Sequence, residues 1–390
     1  MRQDRSGTAP EAARGAFPDA LPALTSVRFL LALGVVLFHY QLQWSWNASA
    51  WTGLFNRAQY GVDIFFILSG FVLTHAYRQP LAEGTLDYRR FLVARIARIY
   101  PTHLLVLAFV LVMVGLAILV GAEFDRGLYN PLGLAATVLL VQAWLPQTFV
   151  ADWNGPSWSL SAEWFAYLAF PAFAWIGVAL AQRPWRLLSL SALVFVGAEL
   201  SYQAMFGQTV VHAQANLGVL RIAPEFIYGI ALYRLGQGLR PTRVQALAAG
   251  WLSATTLLLL MHFKADDRLV VLAAGPVILA LAVLSTARAD RLLSHPWMLV
   301  AGEASYALYL LHTPVLIGWK GVVSILTGRS STYLLGAWEV ACLLVLSTAA
   351  ALIIHHRFEA PVRGKLRRET DRLWPASVAR HAKATSPDSH

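Results

Sequence analysis

The sequence is poor in charge and nearly empty of cysteine. Only 13% of its 390 residues are Asp, Glu, Lys or Arg, against roughly 25% in a soluble globular domain, so a water-exposed globule is excluded. The single cysteine, Cys342, lies in an apolar run. One thiol excludes an intrachain disulfide framework and a thiolate metal cluster, and reads as a small packed hydrophobe. No internal repeat or separate soluble domain is visible. Acidic residues are also scarce, 21 against 31 basic ones, for a net charge of +10. The basic residues fall between apolar runs, as membrane topology requires, so nucleic acid is not an expected partner whereas membrane lipids are.

What the chain has is apolar length. It is 57% hydrophobic, with mean hydropathy +0.54. Long apolar runs lie near 24–42, 60–77, 100–121, 157–182, 187–207, 215–233, 244–263, 268–286, 298–324 and 332–356. Most have the ~17–25 residues needed to cross a ~30 Å hydrocarbon core. An eleventh candidate, 132–149, is shorter and ends in Trp144, Pro146 and Gln147.

Basic residues orient the runs. With a cytoplasmic N-terminus and 132–149 not crossing, inner segments hold 24 of the 31 Lys and Arg residues. A crossing at 132–149 would swap every later loop and largely abolish that asymmetry. The expected fold is therefore an all-α polytopic membrane protein with about ten transmembrane helices and both termini cytoplasmic, with 132–149 a re-entrant or interfacial outer segment. Residues 1–23 read as a disordered cytoplasmic tail, 24–356 as the transmembrane domain, and 357–390 as a basic cytoplasmic tail, helical at first and disordered from about 376. Ala48-Ser49-Ala50 resembles a signal-peptide cleavage site. A polar stretch with His39, Tyr40 and Trp44 separates it from the apolar run, so the first helix is read as retained.

The first apolar run, TSVRFLLALGVVLFHY at 25–40, carries Arg28 and His39 eleven positions apart. On a helix that is about 16 Å of rise and a return to within about 20° of the starting direction. Both therefore lie on one stripe, and an ionisable residue inside a membrane usually faces the bundle interior or a watery cavity. The bland alternative is a snorkelling Arg and one satisfied His.

Further polar residues admit similar pairs of readings. In GVDIFFILSGFVLTHAY, Asp63 lies close in depth to His39 and either orients the imidazole or is solvated at the interface. Ser69, Gly61 and Gly70 favour helix packing. Arg95 and Arg98 share one helical face, where paired guanidinium forks suit phosphates, and topology or anionic lipid is the alternative. In ADWNGPSWSLSAEWF, Glu163 is costly to bury alone, while the tryptophans read equally as an interfacial belt. Arg221 and Glu225, four apart, are expected to form a structural ion pair. In GEASYALYLLHTPVL, Ser305, Tyr309 and His312 share a face from which Tyr306 departs.

Taken in order, Arg28-x10-His39, GVDIFFILSGF, Arg95-x2-Arg98, NGPSWSLSAEWF, GEASYALYLLHTP and the closing Phe358-Glu359-Ala360-Pro361 resemble the acyltransferase-3 family of integral-membrane O-acyltransferases. The resemblance covers roughly residues 20–365. It implies ten helices, a cytoplasmic acyl-CoA donor, and transfer of an acyl group to a hydroxyl, usually on a sugar. Acetyl-CoA is the default co-substrate, with no permanently bound cofactor and no metal. The expected setting is a bacterial inner membrane. The expected acceptor is a surface or exported polysaccharide, free or lipid-linked, with a small glycosylated metabolite such as a macrolide as the alternative. The resemblance carries catalytic roles to Arg28, His39 and Glu163, and donor or substrate contacts to Arg95, Arg98, Trp158 and Ser159. Ser69, Tyr306 and His312 carry over as site or packing residues, and Asp63 joins them as a binding residue.

The chemistry agrees with the residues. An alcohol is a poor nucleophile and needs a base, and imidazole suits neutral pH. His39 is the expected base; Glu163, Asp63 or Tyr306 orients it or holds the acceptor, and an acyl-His39 intermediate is an alternative. Two rivals belong to other classes. A transporter of a small anionic or sugar substrate would use the same buried charges as a path, but no inverted repeat is seen. A haem protein would use His39, His103 and His312 as axial ligands.

Overall fold

The computed structural model describes residues 17–121, 126–146 and 153–374. The expectations for 1–16, 147–149 and the tail beyond 374 lie outside these residues. Among the described residues the chain is all helical, with one isolated parallel bridge between Trp44 and Leu335. Besides short turns such as Leu54–Arg57 and Arg78–Ala82, its helices are α1 (Pro22–Gln41), α2 (Gly61–Ala76), α3 (Tyr88–Leu119), α4 (Pro131–Leu139), α5 (Trp158–Leu168), α6 (Phe170–Ala179) and α7 (Pro184–Phe206). They continue with α8 (Val219–Gly236), α9 (Arg243–His262), α10 (Asp267–Thr286), α11 (Pro296–Thr327), α12 (Ala337–Ile354) and α13 (Ala360–Leu373). A π turn, His355–Glu359, joins the last two.

By length and composition seven helices suffice to cross a membrane, and eight if α5 and α6, bent by 59° at their junction, form one span. Together with outward-facing Leu119, Leu326 and Val345, each more than two-thirds exposed, these describe an integral membrane protein. Cys342 is exposed on α12, so it is not the packed core residue expected from sequence. Residues 17–23, read from sequence as disordered, are ordered: Phe17 is buried against Phe71 and Tyr233, and α1 starts at Pro22.

Local signals explain several boundaries. The Asp87 side chain accepts the Arg89 and Arg90 amides at the start of α3, and Asn130 caps α4 through the Gly133 amide. Thr242 and Gln245 form a reciprocal capping box on α9. Four prolines lie inside helices, each removing an amide and freeing the carbonyl four residues earlier. At Pro314 the freed Leu310 carbonyl accepts from Asn154, and at Pro276 the freed Leu272 carbonyl accepts from Tyr228.

Two close helix contacts set the interior. A Cβ on Gly70 would stand 2.1 Å from the Phe226 carbonyl oxygen, and one on Gly229 2.0 Å from that of Ile67, so α2 and α8 touch backbone to backbone. A Cβ on Gly302 would stand 2.2 Å from the Thr25 carbonyl oxygen, which draws α11 against α1.

The nine-residue α4 rises only about 14 Å, too little to cross. After Leu140, at φ +56°, the chain turns back into the bundle. Its non-helical backbone is paired: the Ala143 amide donates to Ser161, and the Ala143 and Leu145 carbonyls accept from Val219 and Leu217. Irregular backbone at this depth is tolerated because protein satisfies it.

Candidate active site

Arg28 and His39 mark two ends of one face of α1. At the Arg28 end, α1, α2, α3, α5 and α11 enclose an open cleft of about 820 Å³, its mouth included. Seven of the expected site residues line it: Arg28, Ser69, Arg95, Arg98, Ser159, Glu163 and Tyr306. His39, Asp63, Trp158 and His312 are not on its wall.

The three guanidinium groups are held differently. Arg98 Nη1 donates to Glu359 Oε1 at 2.5 Å, and its guanidinium lies 5.3 Å from the centre of the Tyr306 ring. Arg95 stacks between the Phe91 and Tyr167 rings, at 5.8 and 5.7 Å. Neither Arg28 nor Arg95 has a carboxylate at ion-pair distance among the described residues, and the Nε of each is buried without a hydrogen-bond partner. Buried donors of this kind are uncommon, and both arginines line the cleft, where a guanidinium group can bind an anion.

Glu163 faces the cleft, but its Oε1 accepts from Ser69 Oγ at 3.0 Å and from Tyr167 OH at 2.6 Å. Tyr306 donates to the Ile99 carbonyl at 2.6 Å. Ser159 and Tyr309 share a hydroxyl contact of 2.8 Å, with both near the Pro156 carbonyl.

His39 is paired with His312. The two rings meet Nδ1 to Nε2 at 3.1 Å, with centroids 4.8 Å apart. His39 Nδ1 also lies 2.9 Å from the Val35 carbonyl, and His312 Nδ1 lies 2.7 Å from the Tyr309 carbonyl. A carbonyl only accepts, so each Nδ1 carries the proton. The one His39 Nδ1–H is then shared between the Val35 carbonyl and His312 Nε2, and His39 keeps its lone pair on Nε2. That is the tautomer of a general base with its other nitrogen anchored. His312 is fully buried, and Tyr40 holds its backbone carbonyl at 3.2 Å.

Three expectations are corrected by this geometry. None of Asp63, Glu163 and Tyr306 hydrogen-bonds His39; the side chain that meets its ring is His312, on the helix that Gly302 brings against α1. Asp63 is fully buried in a two-point pair with Arg221, at 3.2 and 2.6 Å. Arg221 also donates to the Ala213 carbonyl and lies 4.9 Å over Trp158, so Trp158 braces this pair. The expected Arg221–Glu225 ion pair is not formed, because the planar guanidinium fork finds matched geometry across the α2–α8 contact.

Sequence reasoning missed Tyr167 and gave Glu359 no role. Tyr167 had one local signal, its i+4 spacing from Glu163. Glu359 stood in the closing motif, but nothing local named its partner, which lies 261 residues away. Three further carboxylates in apolar runs have structural partners. Glu199 accepts the Val210 amide, Glu339 caps α12 through Gly336, and Glu303 meets His355 and Arg363.

Residues 21–356 match the family described as the acyltransferase domain, acyltransferase-3. The chain belongs to that family. Over 371 residues, the acyltransferase-3 chain is 23% identical to the putative peptidoglycan O-acetyltransferase YrhL of Bacillus subtilis, covering 88% of this chain and 55% of that one. It is 22% identical over 381 residues to the O-acetyltransferase OatA of Staphylococcus aureus, covering 89% and 58%. A shorter stretch of 156 residues is 39% identical to the acyltransferase MdmB of Streptomyces mycarofaciens, covering 39% and 38%. The match thus spans 38 to 58% of the length of these three relatives. No solved structure matches.

Proposed function

We propose that the acyltransferase-3 chain is an O-acyltransferase of a bacterial inner membrane. It moves an acyl group, acetyl by default, from cytoplasmic acyl-CoA to a hydroxyl of a surface or exported glycan. Ten crossings follow if α2, α8 and the bent α5–α6 pair join the seven long helices. An even number leaves both termini on one side, which the basic residues assign to the cytoplasm.

The observation that carries the reading is one cleft holding Arg28, Arg95 and Arg98, with the His39–His312 pair further along the α1 face. The phosphates of CoA meet the guanidinium groups, and the thin pantetheine arm follows α1 toward His39. His39 Nε2 takes the proton of the acceptor hydroxyl as its oxygen attacks the thioester carbonyl. The C–O bond forms, the C–S bond breaks, and the CoA thiolate leaves with the proton His39 collected. A thioester is already activated, so the base is the main requirement. The name of YrhL, a putative peptidoglycan O-acetyltransferase, supports a glycan acceptor, and that of OatA supports transfer to an oxygen.

The test is turnover of acetyl-CoA by purified protein in liposomes, with and without an offered glycan, wild type beside His39→Ala. Thiol release and glycan acylation that vanish with His39→Ala are expected. A well-folded wild type that binds no CoA would falsify the donor assignment and favour the transporter reading.

A further inference from the structure

The carboxylate of Glu359 is 2% exposed, belongs to a π turn, and is the ion-pair partner of a cleft arginine. π turns are rare and gather at functional sites. Within the turn His355 Nδ1 lies 3.3 Å from Glu359 Oε2, and Arg363 Nη1 approaches Oε1 at 3.8 Å. Glu303 in turn meets His355 and Arg363, each at 3.5 Å. An ion pair between Arg90 and Asp371 ties α13 to α3 beside this network. Glu359 is thus fixed from several sides, while its bond to Arg98 uses a single guanidinium nitrogen. The remaining donors of Arg98 are left for another acceptor, and Arg98 lines the cleft.

We propose that Glu359 is a positioning residue for the anionic end of the acyl donor, holding Arg98 so that its guanidinium presents its other N–H groups to a phosphate in the cleft. The inference rests on the acyl-CoA reading above. Three guanidinium groups around one cleft repel each other before any anion arrives. A fixed carboxylate behind Arg98 offsets that repulsion and sets the fork's direction without occupying it. The π turn and α13 thereby become part of the donor site.

The experiment compares two donors on the full-length protein in liposomes: acetyl-CoA, and S-acetylpantetheine, which lacks every phosphate. In Glu359→Gln, KM for acetyl-CoA is expected to rise roughly tenfold with kcat within about twofold, the scale of one charge-assisted hydrogen bond weakened. Kinetics with S-acetylpantetheine should match wild type. Glu359→Asp keeps the charge with a shorter reach, and should raise KM for acetyl-CoA alone even if the Gln variant does not fold. Equal losses on both donors would assign Glu359 to the fold and overturn the inference. So would unchanged kinetics in both variants while wild type prefers acetyl-CoA. Wild type that turns over neither donor overturns the acyl-CoA reading, and this inference with it.

Discussion

His312 Nε2 stands 3.1 Å from His39 Nδ1, with a backbone carbonyl on the far side of His312 and another beside His39. The two carbonyls force both protons onto Nδ1, so His39 keeps its lone pair on Nε2, the nitrogen proposed as the base. Removing the base is expected to cost about 10²–10⁴ in kcat. His39→Gln and His39→Ala should therefore lose transfer while CoA binding, read by quenching or calorimetry, is retained. Near-normal turnover in either variant would end the assignment.

His312 does not line the cleft, so its loss should act through His39. His312→Ala is expected to lower kcat about 10²-fold, the scale of a misplaced catalytic group, with KM for the donor unchanged. The acid limb of the pH–rate profile, set by His39, should shift in this variant because its neighbour is gone. A loss seen only in KM, with the acid limb unmoved, would contradict the pairing.

Arg95 and Arg28 offer buried nitrogens with no partner. Arg95→Ala should raise KM for acetyl-CoA at least tenfold, and the wild-type KM should rise with salt more steeply than that of the variant. Arg95→Ala also removes the stack on Tyr167 and Phe91, so a melting curve must accompany the kinetics. An identical salt dependence in the two proteins would remove Arg95 from the donor site.

Asp63 and Arg221 form a buried pair whose side chains are 0% and 3% exposed. Arg221→Met strands a carboxylate in the interior and is expected to cost about 3–5 kcal/mol. The double replacement Asp63→Leu with Arg221→Met should recover much of that loss. Thermal melting in detergent decides: a single variant as stable as wild type would show that water reaches the pair.

Gly302 and Gly115 make a matched comparison. A Cβ on Gly302 meets the Thr25 carbonyl oxygen, whereas one on Gly115 meets nothing within 4 Å. Gly302→Ala should push α11 from α1, lowering both melting temperature and turnover, because the same contact brings His312 to His39. Gly115→Ala should be stabilising by up to about 1 kcal/mol through helix propensity. Equal melting shifts of the same sign would refute the close-contact account.

The fold class and part of the candidate site were legible in the sequence. Apolar length and sparse charge made the membrane helices legible, because hydrocarbon admits only segments that satisfy their own backbone. The spacing of Arg28 and His39 placed them on one stripe through helix geometry alone, and the α3 face put Arg95 and Arg98 together for the same reason. Partner choice was a different matter. Asp63 looked near enough to orient His39 and Arg221 near enough to hold Glu225, and in the folded chain Asp63 and Arg221 hold each other. Periodicity states which residues share a face of one helix, but not which face of another helix meets it. The close approaches at Gly70 and Gly229 decide that for Asp63 and Arg221, and the one at Gly302 for His39 and His312, while Glu359 reaches Arg98 where the π turn meets α3. The last two pairings join residues more than 250 positions apart, a separation that no local pattern spans and only tertiary packing closes.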